Sequence, residues 1–484
     1  MADDLGYGDL ASYGATSQEW GAVDRLAAEG LRFSQFYSGD AMCSPSRGAF
    51  LTGRLAIRLG LVGGQRVFMP NDVGGLPAQE LTLPELLQQG GYVTGMNGKW
   101  HLGINAYNAS DGKHLPSRHG FQYVGTNLPL TNAWQCREDG PVPPLKQACY
   151  LYKGDQIYQQ PISFRNLTPT LEFSSARKAD GRKFFFYFSF PHVHDWQFAD
   201  PAFRGGSSRG LYGDCLNEMH WAVGEIKEHL ESTGLAQDTL VLFMSDHGPH
   251  RELCTLGGSP GNLKGGKSNS WEGGFRIPAI AWWPAVIPPA SFSDAVLWSL
   301  DLFPSFAALA NIPLPSEELD GMEALDYLLG RISSQDIVLS PAKDTTRIRP
   351  IIFYCNRHLM AVRLGQYKIH YWTSPIFDGV TGCPHGMPLR DWFVEQTCED
   401  GRLIPHDPPL TFHLGQDPGE AWPLDTNSPE VAAIIREAGV VVERHRASLV
   451  KVPEQMGNFN NAVIPCAHPP TCQINYPPKP KDEL

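Results

Sequence analysis

The chain of 484 residues carries 39 lysines and arginines against 51 aspartates and glutamates, which gives a formal net charge of −12. An acidic chain without a basic cluster does not suit nucleic acid, and no run of about 18 apolar residues occurs to span a bilayer. With 42% hydrophobic residues and many glycines and prolines, the composition indicates a large, loop-rich globular protein.

Helical and strand patterns alternate through the first part of the chain. Apolar positions at helical spacing predict helices at residues 19–29, 83–89, 211–232 and 300–310. Short apolar runs predict strands at 31–37, 92–96, 183–190, 240–244 and 277–282. This alternation is typical of an α/β domain in which a mostly parallel sheet lies between layers of helices. In such a sheet, functional residues collect at the carboxyl ends of the strands.

A second pattern begins after a polar connector at residues 333–349. Short strand-like runs at 351–354, 360–363, 367–371 and 410–414 precede one helical segment at 429–444. We therefore expect a catalytic domain at 1–345 and a smaller α+β domain at 346–484. The smaller domain should contain an antiparallel sheet and end in a tail rich in proline and cysteine.

The ten cysteines indicate disulfide bonds more strongly than a zinc site. Three pairs of sequence neighbours lie in polar, proline-rich segments where a disulfide could hold irregular chain: Cys136 with Cys149, Cys383 with Cys398, and Cys466 with Cys472. Zinc is the alternative, but no Cys-X-X-Cys pair occurs and the histidine spacing does not suit it.

The sequence carries marks of the secretory pathway. Its last four residues, Lys481-Asp482-Glu483-Leu484, form the KDEL signal for retention in the endoplasmic reticulum, so the KDEL receptor is an expected partner. Asn108 and Asn166 begin glycosylation sequons. These features predict a glycoprotein of the endoplasmic reticulum lumen or secretory pathway, although no signal peptide follows Met1.

Two pairs of polar residues have the chemistry of metal ligands. Asp3 and Asp4 are adjacent carboxylates in a glycine-rich segment, which suits a hard divalent cation. Asp246 and His247 directly follow the predicted strand at 240–244, where a ligand pair is also expected. The alternative for the first pair is a solvated acidic turn.

Cys43 lies at the predicted entrance of a helix, one turn before Arg47. Free N–H groups and the helix dipole favour an anion at such a position. A thiolate nucleophile requires a nearby histidine, and none is adjacent in the sequence. The residues alone therefore leave open whether Cys43 is reactive or simply buried before an ordinary helix.

Other candidates follow predicted strands. Lys99 and His101 alternate along an extended segment after residues 92–96, which suits an oxyanion and its proton transfer. His192 and His194 follow the strand at 183–190, and Lys267 lies in a glycine-rich segment. Each of them could be an ordinary surface or hydrogen-bonded residue. Their shared position near strand ends favours one site.

These residues carry a resemblance to the type I sulfatases. Cys43-Ser44-Pro45-Ser46-Arg47 with Leu51-Thr52-Gly53-Arg54 resembles the first signature, in which the cysteine of a CxPxR core is oxidised to formylglycine. Residues 98–103 resemble the second signature, and the similarity continues through residues 3–9, 271–274 and 406–410. Residues 353–356 and 417–418 look most like the arylsulfatase and steryl sulfatase branch. The resemblance covers essentially the whole chain and implies an alkaline-phosphatase-like fold.

The resemblance implies a role for each candidate. A calcium ion would be held by Asp3, Asp4, Asp246, His247 and an oxygen of the modified Cys43, although many arylsulfatases have Asn or Gln at the position of His247. Arg47 and Lys99 would hold the formylglycine hydrate and its charge, and His101 would handle its proton. Lys267 and His194 would bind sulfate and assist the leaving oxygen. His192 would support the site from behind.

The implied activity is hydrolysis of a sulfate monoester of a small molecule or glycan, in a protein modified by the formylglycine-generating enzyme. One hydroxyl of the hydrate attacks sulfur, and the other then expels sulfate. A metal-dependent phosphatase or phosphodiesterase of the same superfamily is the alternative, but such enzymes use Ser or Thr in place of this cysteine. A catalytically silent homologue is a second alternative. Residues 104–183 lack the long hydrophobic hairpin of steryl sulfatases, which favours aryl or carbohydrate sulfates.

The resemblance also bears on the start of the chain. In the family, a buried strand precedes the Asp-Asp pair and a signal peptide precedes that strand. We therefore expect that the first strand is missing from this sequence and that Met1 is not the natural start.

Overall fold

The computed structural model describes residues 1–131, 150–159, 180–195, 197–332, 349–377, 379–386, 398 and 401–465, with the backbone of two short strands between 136 and 141. The α-helices are α1 (Ala22–Glu29), α2 (Cys43–Thr52), α3 (Ala56–Leu59), α4 (Leu83–Gln89), α5 (Leu211–Ser232), α6 (Glu272–Phe275), α7 (Leu302–Ala310), α8 (Leu325–Leu328), α9 (Gly379–Gly382) and α10 (Pro429–Ser448).

The strands up to the middle of the chain are β1 (Leu31–Tyr37), β2 (Val93–Lys99), β3 (Tyr123–Leu128), β4 (Cys136–Arg137), β5 (Gly140–Pro141), β6 (Leu151–Lys153), β7 (Gln156–Gln159) and β8 (Phe184–Ser189). Those that follow are β9 (Val241–Met244), β10 (Arg276–Trp282), β11 (Ser291–Ser293), β12 (Leu297–Trp298), β13 (Pro350–Cys355), β14 (His358–Leu364), β15 (Tyr367–Thr373) and β16 (Ile404–His413).

Local sequence signals set most of these boundaries. Helix α1 begins at Ala22, three residues later than predicted, because the Asp24 carboxylate accepts a hydrogen bond from the Gly21 N–H at 2.9 Å and so caps the helix there. Strand β2 extends to Lys99, beyond its predicted end, because it is paired on both sides, with β3 and with β8. Lys99 is therefore the last residue of a strand rather than part of a loop.

Among the described residues, the larger domain contains two mixed sheets and the short antiparallel pair β4–β5. The strand orders of the mixed sheets are β11-β1-β10-β9, with β12 also on β1, and β7-β6-β3-β2-β8. Strand β2 is parallel to β3 and β8, whereas β10 is antiparallel to both β1 and β9. The predicted mostly parallel sheet is thus corrected to a mixed one. The chain between β9 and β10 stays at the carboxyl end of β9, where the Gly248 N–H donates to Gly274 O. Strand β10 therefore starts beside the end of β9 and runs antiparallel to it.

The first residues lie between the edges of β8 and β9. Ala2 N–H donates to Met244 O at 2.7 Å, and Phe190 N–H donates to Met1 O at 2.9 Å. Ala2 also forms a parallel bridge with Ser245. This backbone pairing on both sides holds Asp3 and Asp4 at the carboxyl edge of the two strands. A cavity of about 800 Å³, lined mainly by apolar side chains, continues between β8 and β9, and none of the predicted catalytic residues lines it.

The C-terminal domain confirms the predicted antiparallel sheet. Its strand order is β13-β14-β15-β16, and every pairing is antiparallel. Helix α10 packs its buried Ala438 and Val442 against this sheet. The sheet contacts the larger domain through buried charges: Lys368 donates to Glu272 at 2.9 Å, and Glu420 accepts from the Glu272 N–H at 2.7 Å.

The disulfides differ from the predicted pairing of sequence neighbours. Cys383 bonds Cys254 across 129 residues, and Cys398 bonds Cys355 across 43 residues, so a Cys383–Cys398 bond is wrong. Packing of the C-terminal domain against the 3₁₀ turn Arg251–Leu256 brings Cys254 within reach, which spacing cannot reveal. Cys43 and Cys215 are the free, buried cysteines of the described residues.

Several predicted features lie outside the described side chains, namely the Cys136–Cys149 and Cys466–Cys472 pairs, Asn166 and the KDEL residues. Asn108 is described and lies in an exposed turn, where its side chain accepts a hydrogen bond from the Ser110 N–H. In the part of the chain that is described, no helix is both long and apolar enough to cross a membrane.

Candidate active site

The predicted site residues come together at one edge of the larger domain, at the carboxyl ends of β2, β8 and β9. All of them are buried: Asp3, Asp4, Cys43, Arg47, Lys99, His101, His192, His194, Asp246, His247 and Lys267. The burial of Asp3 and Asp4 removes the alternative of a solvated acidic turn. A buried group of this charge density is found where a protein holds a ligand or performs chemistry.

Cys43 is the first residue of α2, with its side chain at the helix N-terminus. Two serines fix that end of the helix: Ser44 Oγ donates to His101 O at 2.7 Å, and Ser46 Oγ donates to Asp246 O. The Cys43 Sγ lies 3.4 Å from His247 Nε2. The histidine that was absent from the neighbouring sequence is therefore supplied from 204 residues away.

The surroundings of Cys43 favour an anion. Burial by itself raises the pKa of the Cys43 thiol, but the positive charges of Lys99, Lys267 and His247 bring that pKa well below its ordinary value. The open N–H groups of the helix start add to the same effect. Any negatively charged oxygen attached at residue 43 would be stabilised by the same groups.

Arg47 and Lys99 hold two of the carboxylates in place. Arg47 donates from Nε and Nη2 to the same Asp246 oxygen, at 3.2 and 2.8 Å, and its Nη2 is 3.3 Å from Asp3. Lys99 Nζ donates to both oxygens of Asp3, at 2.8 and 2.6 Å. Burial raises the pKa of Asp3 to about 7, with Asp246 adding to the rise and Lys99 opposing it. Asp3 and Asp246 are thus fixed in position by buried cations, and Asp3 remains only partly compensated for its burial.

Five side chains form a candidate metal centre. One ligand atom from each lies within 4.8 Å of all the others: Asp3, Asp4, Cys43, Asp246 and His247. One oxygen of Asp4 is buried and accepts no hydrogen bond, although His247 Nε2 lies 3.2 Å from it. Three buried carboxylates with a free oxygen make a donor set that suits a hard divalent cation. The residues present therefore fit such an ion.

His101 has the geometry of a base. Its Nε2 lies 3.2 Å from Phe68 O. Since a carbonyl only accepts, Nε2 must donate, and the lone pair of the ring is on Nδ1. Burial lowers the pKa of His101 to about 4, and Lys99 adds to the decrease. The imidazole is therefore neutral at physiological pH and able to accept a proton.

Lys267 and His194 form the opposite, positively charged side of the site. Lys267 Nζ lies 2.6 Å from Asp4 Oδ2 and 3.3 Å from His194 Nε2. Burial lowers the pKa of His194, but the negative charges of Asp4, Asp195 and Asp3 together raise it to about 9. Lys267 stays charged for a similar reason, because Asp4, Cys43, Asp195 and Asp3 together hold its pKa above its ordinary value although burial lowers it. These two cations could contact an oxyanion and donate a proton.

His192 does not join this group. Its ring packs against Phe198 at a centroid distance of 4.9 Å and lies 3.9 Å from Glu218. Only its backbone reaches the site, where His192 O accepts from the Asp3 N–H at 2.7 Å. The ring of His192 therefore lies behind the site, and its supporting role stays a prediction.

The sequence alone did not reveal the residues that hold the catalytic loops. Arg66 pairs with Asp40 at 2.7 Å and donates to Ser268 O at 2.9 Å, which holds the backbone next to Lys267. Asp195 lies against His194, with 3.2 Å between its carboxylate and Nδ1. The position of Asp195 directly after His194 was a usable signal. Arg66 had none, because its partner lies 202 residues away.

Comparison with known proteins gives a consistent result. The Sulfatase family profile matches residues 1–312, and the profile described as C-terminal region of aryl-sulfatase matches residues 346–479. An arylsulfatase of Hemicentrotus pulcherrimus is 42% identical over 98% of this chain and 86% of its own length. A steryl-sulfatase of Rattus norvegicus is 34% identical, with 99% and 93% coverage. The crystal structure of the PsFucS1 sulfatase from Pseudoalteromonas sp. shares the fold, with a TM-score of 0.74 and 24% identity over 95% of this chain and 90% of that chain.

Proposed function

This chain belongs to the sulfatase family of sulfuric ester hydrolases, and from that premise we propose that it is an arylsulfatase that uses formylglycine made from Cys43 and a bound calcium ion. The observation that carries the proposal is the position of Cys43 at the start of α2, within 4.8 Å of four metal-type ligands and beside Lys99 and Lys267. An ordinary buried cysteine would need neither the ligands nor the cations.

Calcium is the proposed ion because most of the ligand atoms are carboxylate oxygens. Asp3, Asp4, Asp246 and His247 would hold it, together with an oxygen of the modified residue 43. The bound ion would supply positive charge at the sulfate and at the attacking oxygen. Arg47 and Lys99 prepare the carboxylates for it: Arg47 orients Asp246, and Lys99 orients Asp3 and opposes the rise in its pKa that burial causes.

Formylglycine at position 43 would supply, as its hydrate, one hydroxyl to attack sulfur and a second whose deprotonation expels sulfate. A serine or an unmodified cysteine would have no such second hydroxyl. His101 is the proposed base for that second step, because its Nδ1 lone pair is free of the Phe68 contact and its lowered pKa leaves the ring unprotonated at neutral pH. The histidine keeps its ring oriented by donating from Nε2 throughout.

The sulfate and its leaving group are assigned to the other side of the site. Lys267 would contact a sulfate oxygen and stabilise the charge that builds on it during transfer. His194, whose pKa of about 9 keeps it protonated at neutral pH, would give a proton to the departing oxygen. This division assigns the base and the acid of the two steps to different histidines, His101 and His194.

The choice of aryl sulfates follows from the relatives. The arylsulfatase of Hemicentrotus pulcherrimus is 42% identical to this chain, whereas the rat steryl-sulfatase is 34% identical. A phosphatase or phosphodiesterase is less consistent with a cysteine at position 43, and a silent homologue is less consistent with a complete set of buried charges.

We also propose that the protein matures in the secretory pathway. The formylglycine-generating enzyme and the KDEL receptor would be its partners there, and the endoplasmic reticulum lumen its location. Two disulfides and the exposed sequon at Asn108 support this, because disulfides persist in oxidising compartments.

The test uses the full chain produced together with the formylglycine-generating enzyme. The Cys43→Ser variant, produced in the same way, is compared with it. We expect multiple turnover of 4-nitrophenyl sulfate but not of 4-nitrophenyl phosphate, and loss of turnover in the variant. Mass spectrometry of the peptide containing Cys43 should show an aldehyde. An active preparation in which every Cys43 is an unmodified thiol would contradict the proposal.

A further inference from the structure

The side of His194 that faces away from the sulfate site is occupied by Asp195. The His194 Nδ1 lies 3.2 Å from the Asp195 carboxylate and 2.5 Å from the Asp195 carbonyl oxygen. Both side chains are nearly enclosed, with 9% and 7% of their surfaces exposed. Asp195 thus provides two hydrogen-bond acceptors to the same ring nitrogen of His194.

These two contacts define the tautomer of the ring. Neither an ionised carboxylate nor a carbonyl can donate a hydrogen bond, so Nδ1 must carry a hydrogen that stays bound. The other nitrogen, Nε2, lies 3.3 Å from Lys267 Nζ and 3.8 Å from Asp4. A proton that enters or leaves the site through His194 must therefore do so at Nε2.

Asp195 is itself held from behind. The same oxygen that contacts His194 lies 3.7 Å from His250 Nδ1, and His250 Nε2 lies 3.9 Å from Glu252. Gln197 holds the segment to the turn that follows, because its amide donates to Leu256 O. Asp195 and the residues next to it are thus positioned by one segment, residues 250–256, which is distant in the sequence and close in the fold.

We propose that Asp195 is a positioning residue for catalysis: it holds His194 with Nδ1 protonated and Nε2 directed at the leaving oxygen. The inference rests on the proposed function. As the attacking oxygen of residue 43 bonds to sulfur, the bond from sulfur to the ester oxygen breaks and its electron pair goes to that oxygen. The ester oxygen takes the Nε2 proton and leaves as an alcohol. His194 keeps its Nδ1 proton and regains the other from water.

Leaving groups of different basicity separate this role from a structural one. Phenyl sulfate releases a phenol with a pKa of about 10, similar to tyrosine, and so needs the proton. 4-Nitrophenyl sulfate releases a more acidic phenol that needs it less. For Asp195→Asn we expect kcat/KM to fall by about 10- to 100-fold with phenyl sulfate. With 4-nitrophenyl sulfate the decrease should be much smaller.

The matched control is Asp200→Asn, on the same segment, whose carboxylate accepts a hydrogen bond from the Ala202 N–H and, among the described residues, contacts none of the candidate site. This substitution should leave kcat/KM unchanged with both substrates. Asp195→Glu retains the charge and should recover part of the phenyl sulfate activity, which keeps the test open if Asp195→Asn is poorly folded. Equal losses with both substrates, or a loss of bound calcium in Asp195→Asn, would overturn the proposal. If the unsubstituted protein does not turn over 4-nitrophenyl sulfate, the proposed function itself fails instead.

Discussion

Replacement of Lys267 by alanine tests the charge arrangement of the site most directly. Lys267 Nζ lies 2.6 Å from Asp4 Oδ2, and the side chain is 6% exposed. At that distance and an effective dielectric constant of about 20, two unit charges attract by ~6 kcal/mol before desolvation is subtracted. Breaking a buried ion pair costs ~3–5 kcal/mol in measured cases, because the remaining charge is left without a partner. The substitution should therefore lower both stability and activity.

The two effects should respond differently to a cation. A calcium ion at the candidate metal centre would neutralise Asp4, so the loss of stability in Lys267→Ala should be smaller with Ca²⁺ than with EDTA. The loss of activity should persist, because the calcium ion is bound in the unsubstituted protein as well and so does not replace the lost contact between Lys267 and a sulfate oxygen. We expect kcat to fall by ~10²–10³, the effect of removing one donor to a developing oxyanion.

The assay is 4-nitrophenyl sulfate hydrolysis, with thermal unfolding measured in Ca²⁺ and in EDTA. Lys264→Ala is the control, since this lysine lies on the same loop but packs over the Trp271 ring at 3.8 Å and donates to Glu420 O. A folded Lys267→Ala enzyme with kcat within about threefold of the unsubstituted protein would refute the reasoning. So would an equal loss in Lys264→Ala.

Three further predictions address the metal, the domain contact and the disulfides. Chelation should abolish activity and Ca²⁺ should restore it, while Asp246→Asn should need ~10-fold more Ca²⁺ for half-maximal activity; a chelated enzyme that stays active contradicts this. At the domain contact, burial raises the pKa of Glu272, but the positive charges of Lys368, Arg363 and Arg276 outweigh burial and lower that pKa from 4.5 to about 2. Its contribution to stability is therefore complete above pH 4.5 and lost as the pH falls towards 2, so the melting temperature of Glu272→Gln should be lower at pH 7 and less dependent on pH in this window. A parallel pH profile in both proteins would contradict the assignment. Peptide mapping without reduction should recover Cys254 linked to Cys383 and Cys355 linked to Cys398, whereas a Cys383–Cys398 peptide would contradict the fold.

Patterns among residues close together in the sequence were sufficient to predict the helices, the strands and the set of candidate functional side chains. Strand β1 and helices α4 and α5 form at the predicted residues, because periodic apolar positions and flanking glycines act over a few residues. The motif from Cys43 to Arg47 likewise identifies a helix entrance and a family. The antiparallel direction of β10 was not predictable from local patterns, because it depends on the path of the chain between β9 and β10.

The sequence by itself therefore determined the family, the element types and the set of reactive side chains. Only the tertiary structure decided which of them meet: His247 beside Cys43, Arg47 across Asp3 and Asp246, Asp195 behind His194, and Cys254 bonded to Cys383. Apart from the His194–Asp195 pair, these contacts join residues tens to hundreds of positions apart. The physical reason is that periodicity and capping are local, whereas the contacts depend on how strands pair and helices pack across the whole chain.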